Sequence, residues 1–261
     1  MPAALFVSPH LDDAAFSCGG TAARLASLGW RVVLATVFTA TVPKPRGFAL
    51  ACQTDKGVPA GVDYMALRRS EDEEAATALG AETAWLGHPE APHRGYESPD
   101  ELFSGVSRED AAHEAVSRSL STLVRSVGPA LIFAPQGLGG HVDHLQTIRA
   151  LKAAPALSRF GDRLLYYRDT PYVLRDPGAA PAGPAMAESG VGIESVLAAK
   201  LRACAAYSTQ LGLQFGGELR MRDALGRFAS SEGSRLSLPE AAEAYRGSPQ
   251  AARELRQALG E

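Results

Sequence analysis

"LFVSPHLDDAAFSCGG", residues 5–20, passes from an unbroken apolar run through a Ser-Pro turn into a segment with helical spacing. A short apolar run closed by a turn signal predicts a fully buried strand over residues 3–7. The small and apolar residues that follow predict a helix over 14–28, stopped by Gly29, a residue suited to the left-handed conformation that ends helices. The next run, RVVLATVF at 31–38, is β-branched and apolar and is the strongest strand signal in the chain. Strand, helix, strand is the unit in which a crossover helix lets two strands lie parallel.

The alternation continues outward from that unit. Helical spacing returns at 66–79 before Gly80, at 110–127 before Gly128-Pro129, and at 143–153. Strands are predicted at 83–86, at 130–134 (ALIFA) and at 163–167. From about 193 the chain reads as mostly helical, with breaks at Gly212, Gly216-Gly217 and Pro239, and no internal repeat is present. The prediction is an α/β protein: one three-layer domain over residues 1–261, with a mainly parallel sheet and helices on both faces. In such sheets ligands bind beyond the carboxyl ends of the strands. Four stretches that follow strands, 39–61, 87–108, 135–140 and 169–192, should therefore gather on one rim. For 170–192 a plain surface loop is an equally good reading.

Composition narrows the function. The chain has 261 residues, 46% of them hydrophobic, and a formal charge of −3. No block of like charge suggests nucleic acid or an anionic membrane as a partner. No apolar run approaches the ~20 residues a membrane span needs. The N-terminus lacks the basic segment of a signal peptide, so a cytoplasmic protein is expected. Cys18, Cys52 and Cys204 are odd in number and widely spaced, which argues against both disulfides and a thiolate metal cage.

The chemistry gathers in two clusters, each just past a strand. His10, Asp12 and Asp13 follow the first strand, and His141, Asp143 and His144, in "PQGLGGHVDH", follow the fourth. His10 and Asp13 are three apart at the start of a helix, so both can reach one point. A third ligand can arrive from the turn after the fourth strand, and three protein ligands leave a divalent metal open for catalysis. Asp12 is then free to take a proton from an attacking water. His141 can stabilise an oxyanion or protonate a leaving group. Asp143 can hydrogen-bond His141 or support a ligand from behind.

Taken singly, these residues have plainer explanations. Asp12 or Asp13 can be a helix N-cap, His141 or His144 a satisfied polar residue, and Gly19-Gly20 a point of close helix–sheet approach. The joint pattern outweighs them. Elsewhere the plainer reading stands beside a functional one: His88 and His93 are surface loop residues or face the cleft, Arg68-Arg69-x-Glu71 form a solvated helix face or offer an arginine to a substrate hydroxyl or phosphate, and the tyrosines and Asp169 of "YYRDTPY" pack and turn the chain or touch substrate, while His113 is structural. No G-x-S-x-G elbow offers a serine nucleophile.

"PHLDD" with Gly19-Gly20, followed later by "HVDH", resembles the LmbE-like/PIG-L family of metal-dependent N-deacetylases. "Arg68-x-x-Glu71…Leu79-Gly80" and "Trp85-Leu86-Gly87" add to the resemblance, which covers about the N-terminal two-thirds of the chain. It implies a Rossmann-like fold and hydrolysis of an acetyl group from an N-acetylglucosamine-type small molecule or glycoconjugate. It implies His10, Asp13 and His144 as ligands of one divalent metal, zinc first, iron(II) or another divalent ion next. It implies Asp12 as general base, His141 as oxyanion stabiliser or acid oriented by Asp143, and Arg68 as a substrate contact. The sequence departs from the family at Gly139, where some members carry a tyrosine that helps polarise the carbonyl. Another group, such as a tyrosine after the fifth strand, can do that work, or the metal and His141 suffice.

Three rivals stay open: hydrolysis of a different amide or ester, a non-catalytic metal- or sugar-binding protein of the same fold, and a phosphoacceptor domain. The last lacks its aspartate after the third strand (Gly87-His88-Pro89) and its lysine after the fifth (Arg168-Asp169). Substrate identity and oligomeric state, including a homo-oligomer, are not legible from these residues.

Overall fold

The computed structural model describes residues 1–157, 160, 163–182 and 186–261. Its sheet has seven strands: β1 (Ala3–Ser8), β2 (Arg31–Phe38), β3 (Glu82–His88), β4 (Leu131–Pro135), β5 (Leu164–Tyr167), β6 (Ala187–Gly192) and β7 (Ala242–Gly247), in the order β3-β2-β1-β4-β5-β7-β6. The strands from β3 to β5 pair in parallel, and β7 runs antiparallel to both β5 and β6. β1 is buried along its whole length, as expected for a strand covered on both faces.

The two faces explain why β1, β2 and β4 read as continuous apolar runs. Side chains alternate across a strand. Ala4, Phe6, Val32, Leu34, Leu131 and Phe133 point into one core cluster, while Leu5, Val7, Val33, Ala35, Ile132 and Ala134 point into the other. Phe6 and Phe133 stack with ring centroids 4.2 Å apart. Each fully buried side chain of this size contributes on the order of 1.5–3 kcal/mol. The first face is covered by α1 (Asp13–Ser27), α3 (Tyr64–Leu79), α7 (Leu197–Ala206), α9 (Glu218–Arg235) and α10 (Pro249–Leu259), and the second by α4 (Ala112–Val127) and α5 (Val142–Ala153). Among the described residues no helix is long and apolar enough to cross a membrane.

The chain moves from β1 to β2 on one side, whereas β4 lies on the other side of β1. The connections leaving β1 and β4 therefore diverge, and a crevice opens above their carboxyl ends. Both His/Asp clusters rise at this point.

Three segments differ from the sequence reading. The stretch 39–61 contains α2 (Gly47–Thr54), and the stretch 170–192 contains α6 (Tyr172–Arg175) and β6, with 183–185 outside the described residues. The region after 193 is not wholly helical: besides α8 (Ser208–Phe215) and its helical neighbours it supplies β7. β7 also steadies α1. That helix breaks at Cys18 (φ −141°), which frees the amides of Gly20 and Thr21. Both donate to the Glu243 carboxylate of β7, at 2.9 and 2.8 Å, and Lys200 of α7 donates to it at 2.7 Å. Gly20 is required by close approach, since a Cβ there would lie 2.8 Å from Ile193 Cγ2.

Candidate metal centre

Asp12 occupies the N-cap position of α1, yet its carboxylate makes no capping bond. Ser8 Oγ accepts the Ala14 amide instead, at 3.0 Å. The plain capping role is thus filled elsewhere, and Asp12 is left buried in the crevice. Its Oδ2 accepts from Gln214 Nε2 of α8 at 2.8 Å, and its Oδ1 faces Arg68 Nη2 at 3.5 Å. Burial raises its pKa, and the Arg68 cation opposes that rise.

Asp13 Oδ2 is the hub of the site. It lies 3.2 Å from His10 Nδ1 and 3.1 Å from His144 Nε2. The far nitrogen of each ring meets another carboxylate: His10 Nε2 pairs with Asp143 Oδ2 at 2.9 Å, and His144 Nδ1 with Asp169 Oδ1 at 2.6 Å. Those contacts assign the ring protons to the far nitrogens. The near nitrogens then turn lone pairs toward the Asp13 oxygen, and His144 Nε2 is buried without a hydrogen-bond partner. Three electron-rich atoms facing one point call for a cation between them. A proton on the near nitrogen is the alternative to a cation at that point, and the carboxylates favour it. Burial would lower both pKa values, but Asp13 and Asp143 hold His10 well above its ordinary value, and Asp13 and Asp169 lift His144 to about 9. Two imidazoles and a carboxylate fit a divalent metal ion.

A second group, His10, His141 and Asp143, is also close enough to share an ion. Its carboxylate, however, is already engaged. Asp143 Oδ1 lies 2.8 Å from Arg94 Nη2, and Oδ2 accepts the Ala91 amide at 3.1 Å besides the His10 ring. This corrects the expectation that the Asp143 carboxylate orients His141. The Ala91 amide and the Arg94 cation hold the carboxylate against His10, the first by a hydrogen bond to Oδ2 and the second as an ion pair at Oδ1, and His141 is oriented by the Asp143 backbone instead. His141 is the N-cap of α5, and its Nδ1 accepts the Asp143 amide at 3.2 Å. Its Nε2 therefore carries the proton. Burial and the nearby His10 bring its pKa down to about 3, so the ring is neutral.

Arg68 is brought to the site but is not free. It is 3% exposed, and its Nη1 donates to Glu90 at 2.6 Å while Nη2 reaches toward Asp12. Glu71 caps α8, accepting from the Thr209 amide and the Ser208 hydroxyl, both at 2.8 Å. His88 bonds Ser119. Cys18 and Cys204 are buried, and burial pushes the Cys204 thiol up to about 12.

The crevice is a cavity of about 620 Å³; the rim segments 39–61, 87–108 and 169–192 line it, with Phe48, Glu90 and Tyr172 among the walls, and the chain after β4 reaches it through His141 and Asp143 rather than through 135–140. A second cavity of about 330 Å³ shares Cys52, Glu90 and Pro92 with it. Several participants escaped the sequence reading: Asp169 behind His144, Arg94 behind Asp143, and Gln214 against Asp12. For Asp169 a signal existed, since it directly follows β5 on the same rim. Arg94 and Gln214 sit in segments without a motif.

Gly139 has φ +80°, and a Cβ there would lie 2.8 Å from Tyr172 Cβ. Tyr172 of α6 thus fills the corner next to position 139, with its ring centroid 5.0 Å from that of His144.

Residues 5–155 match the family model described as PIG-L, GlcNAc-PI de-N-acetylase. The chain belongs to the PIG-L family. The matched span holds both His/Asp clusters and Arg68, whereas Asp169, Tyr172 and Gln214 lie beyond it. Two PIG-L-like curated relatives are similar in sequence. One is the 2'-N-acetylparomamine deacetylase of Streptomyces fradiae, 36% identical over 172 residues, or 64% of this chain and 57% of the relative. The other is the 1D-myo-inositol 2-acetamido-2-deoxy-alpha-D-glucopyranoside deacetylase of Saccharomonospora viridis, 33% identical over 170 residues, or 62% of this chain and 61% of the relative. The matches thus span less than two-thirds of either relative. Among solved structures, the zinc-inhibited form of teicoplanin deacetylase Orf2 superposes with a TM-score of 0.80 at 23% identity, covering 94% of this chain and 97% of that one. At that identity the likeness establishes the PIG-L-type fold.

Proposed function

We propose that this protein is a zinc-dependent N-deacetylase that hydrolyses the acetamide of an N-acetylglucosamine-type small molecule or glycoconjugate. One observation carries the reading: His10 Nδ1, Asp13 Oδ2 and His144 Nε2 converge beside a buried carboxylate, Asp12, that the helix start does not use. The curated relatives' activities support the same bond type. The cavity that continues past Glu90 supports a substrate larger than the acetylated ring alone.

His10, Asp13 and His144 hold the metal, and when bound it supplies Lewis acidity that acidifies water and polarises a carbonyl. Asp12 accepts a proton from the water that attacks the acetamide carbon. A C–O bond forms as the carbonyl π electrons move to oxygen. His141 donates its Nε2–H to that oxygen as charge develops, because its Nδ1 is committed to the Asp143 amide. A neutral imidazole of low pKa is suited to donating a hydrogen bond and poorly suited to delivering a proton. Asp12 therefore returns the proton to the nitrogen, the C–N bond breaks, and acetate and a free amine leave. Burial holds the Tyr172 phenol well above its usual pKa. It thus stays a donor and stands beside Gly139, the position where the family tyrosine is missing.

The test loads the purified chain with Zn2+ and offers acetylated pseudodisaccharides and simple N-acetylglucosaminides, reading the free amine by mass spectrometry. Metal-dependent release of one acetate per amine is expected. A zinc-loaded protein that releases no amine from any of them, or one whose release survives Asp12→Asn unchanged, overturns the reading.

A further inference from the structure

Arg94 is a half-buried cation that the deacetylase mechanism does not use. It lies in the loop between β3 and α4, and its placement is over-determined. Nε and Nη2 bind both oxygens of Asp110, at 3.3 and 3.0 Å, and Nη1 donates to the Pro89 carbonyl at 2.7 Å. The guanidinium sits over the Phe38 ring, 4.8 Å from its centroid. Asp110 is itself pinned by the Tyr96 hydroxyl at 3.0 Å and the Ala112 amide at 3.1 Å. The edge of this rigid fork meets Asp143 Oδ1 at 2.8 Å.

That contact has a consequence for the choice between two donor trios. His10 belongs to both, and the trios differ in their carboxylate: Asp13 in one, Asp143 in the other. The two acids lie on opposite sides of the same imidazole, Asp13 against Nδ1 and Asp143 against Nε2. Each carboxylate also accepts one backbone amide, that of His10 at Asp13 and that of Ala91 at Asp143, so the guanidinium makes the difference: an anion it already neutralises gains little by turning to a metal, and one without it gains much. We infer that Arg94 is a positioning residue: it binds Asp143 so that this carboxylate serves as hydrogen-bond acceptor for His10 and stays out of the coordination sphere, leaving the ion to His10, Asp13 and His144. The inference rests on the metal-dependent reading above and adds which carboxylate is excluded and by what.

Without Arg94, Asp143 is a buried anion that has lost its counter-cation. It then turns to the ion, releasing Nε2 of His10 and changing the ligand number. Outer-sphere partners of this kind typically change metal affinity or activity by 10–100-fold.

The experiment uses Co2+ as the probe in the full chain, because its visible absorption reports coordination number. Wild type, Arg94→Met and Arg94→Lys are titrated with Co2+, alongside Asp143→Asn and the double variant. The expected result is an altered band shape and at least about a tenfold change in Co2+ dissociation constant for Arg94→Met. Arg94→Lys, which keeps the charge but not the fork, should fall between Arg94→Met and wild type. In the Asp143→Asn background, Arg94→Met should add nothing further. If Arg94→Met does not fold, Arg94→Gln carries the same expectation and the same refutation. Wild-type spectrum and affinity in the charge-removed variant, with only its melting temperature lowered, overturn the assignment and leave the metal centre standing. A wild-type chain that takes up no Co2+ overturns the metal centre itself.

Discussion

Asp169→Asn isolates the support behind His144, because it keeps the side chain's size and removes its charge. Asp169 is fully buried; Oδ1 accepts from His144 Nδ1 at 2.6 Å and Oδ2 accepts the Leu138 amide at 3.1 Å. An asparagine has one acceptor oxygen and one donor amide. With the oxygen toward His144, its NH2 confronts the Leu138 amide, donor against donor. With the oxygen toward Leu138, its NH2 confronts His144, which must then move its proton to Nε2, the atom that faces Asp13. Either arrangement forfeits a buried hydrogen bond to a charged acceptor, a loss of about 1.5–3 kcal/mol. At about 1.4 kcal/mol per decade, the second arrangement weakens metal binding by roughly tenfold to a hundredfold. The first costs stability instead, so the two are read together. Zn2+ affinity is measured by competition with a chromogenic chelator at neutral pH, and the melting temperature on metal-free protein. Affinity within about twofold of wild type, combined with unchanged melting, would refute the claim that Asp169 holds the histidine tautomer.

Three further outcomes follow from the same geometry. Asp12→Asn should retain full metal content by elemental analysis while kcat falls by about 10²–10⁴; near-normal turnover removes Asp12 as the base. Arg68→Met removes the cation that opposes the burial-driven rise of the Asp12 pKa. Because the base acts ionised, activity is lost as pH falls through that pKa, so the acid limb of kcat/KM should move to higher pH. An unmoved limb breaks the link between the two residues. Gly20→Ala places a methyl 2.8 Å from Ile193 and should destabilise the chain by about 1–3 kcal/mol, lowering Tm by roughly 2–4 °C for each kcal/mol. A wild-type melting curve would show that the helix–sheet contact can relax.

Strands β1, β2 and β4 were legible because parallel strands covered on both faces must be apolar at nearly every position, and such runs are visible without any partner. β7 was not. Its sequence, AEAYRG, carries Glu243 and Arg246 and shows no apolar run, and it becomes a strand by pairing with β5 and β6, both separated from it in the chain by helices. Glu243 shows the same limit: nothing in its surroundings by sequence announces that it accepts two amides of α1 more than 200 positions away.

By itself the sequence determined the α/β class, the rim, and the two His/Asp clusters from which the proposed metal donors are drawn. His10 and Asp13 lie where β1 passes into α1 and His144 in the first turn of α5 after β4, and the divergence of the chain after β1 and β4 gathers them at one crevice. Only the tertiary structure decided what each donor does. The partner of Asp143 is His10 rather than His141, the shell behind His144 is Asp169, 25 positions on, and the amide that meets Asp12 comes from Gln214, 202 positions on. The reason is that a ligand's protonation and direction are set by hydrogen bonds to its far side, and those bonds belong to whatever packing brings there, not to the motif that carries the ligand.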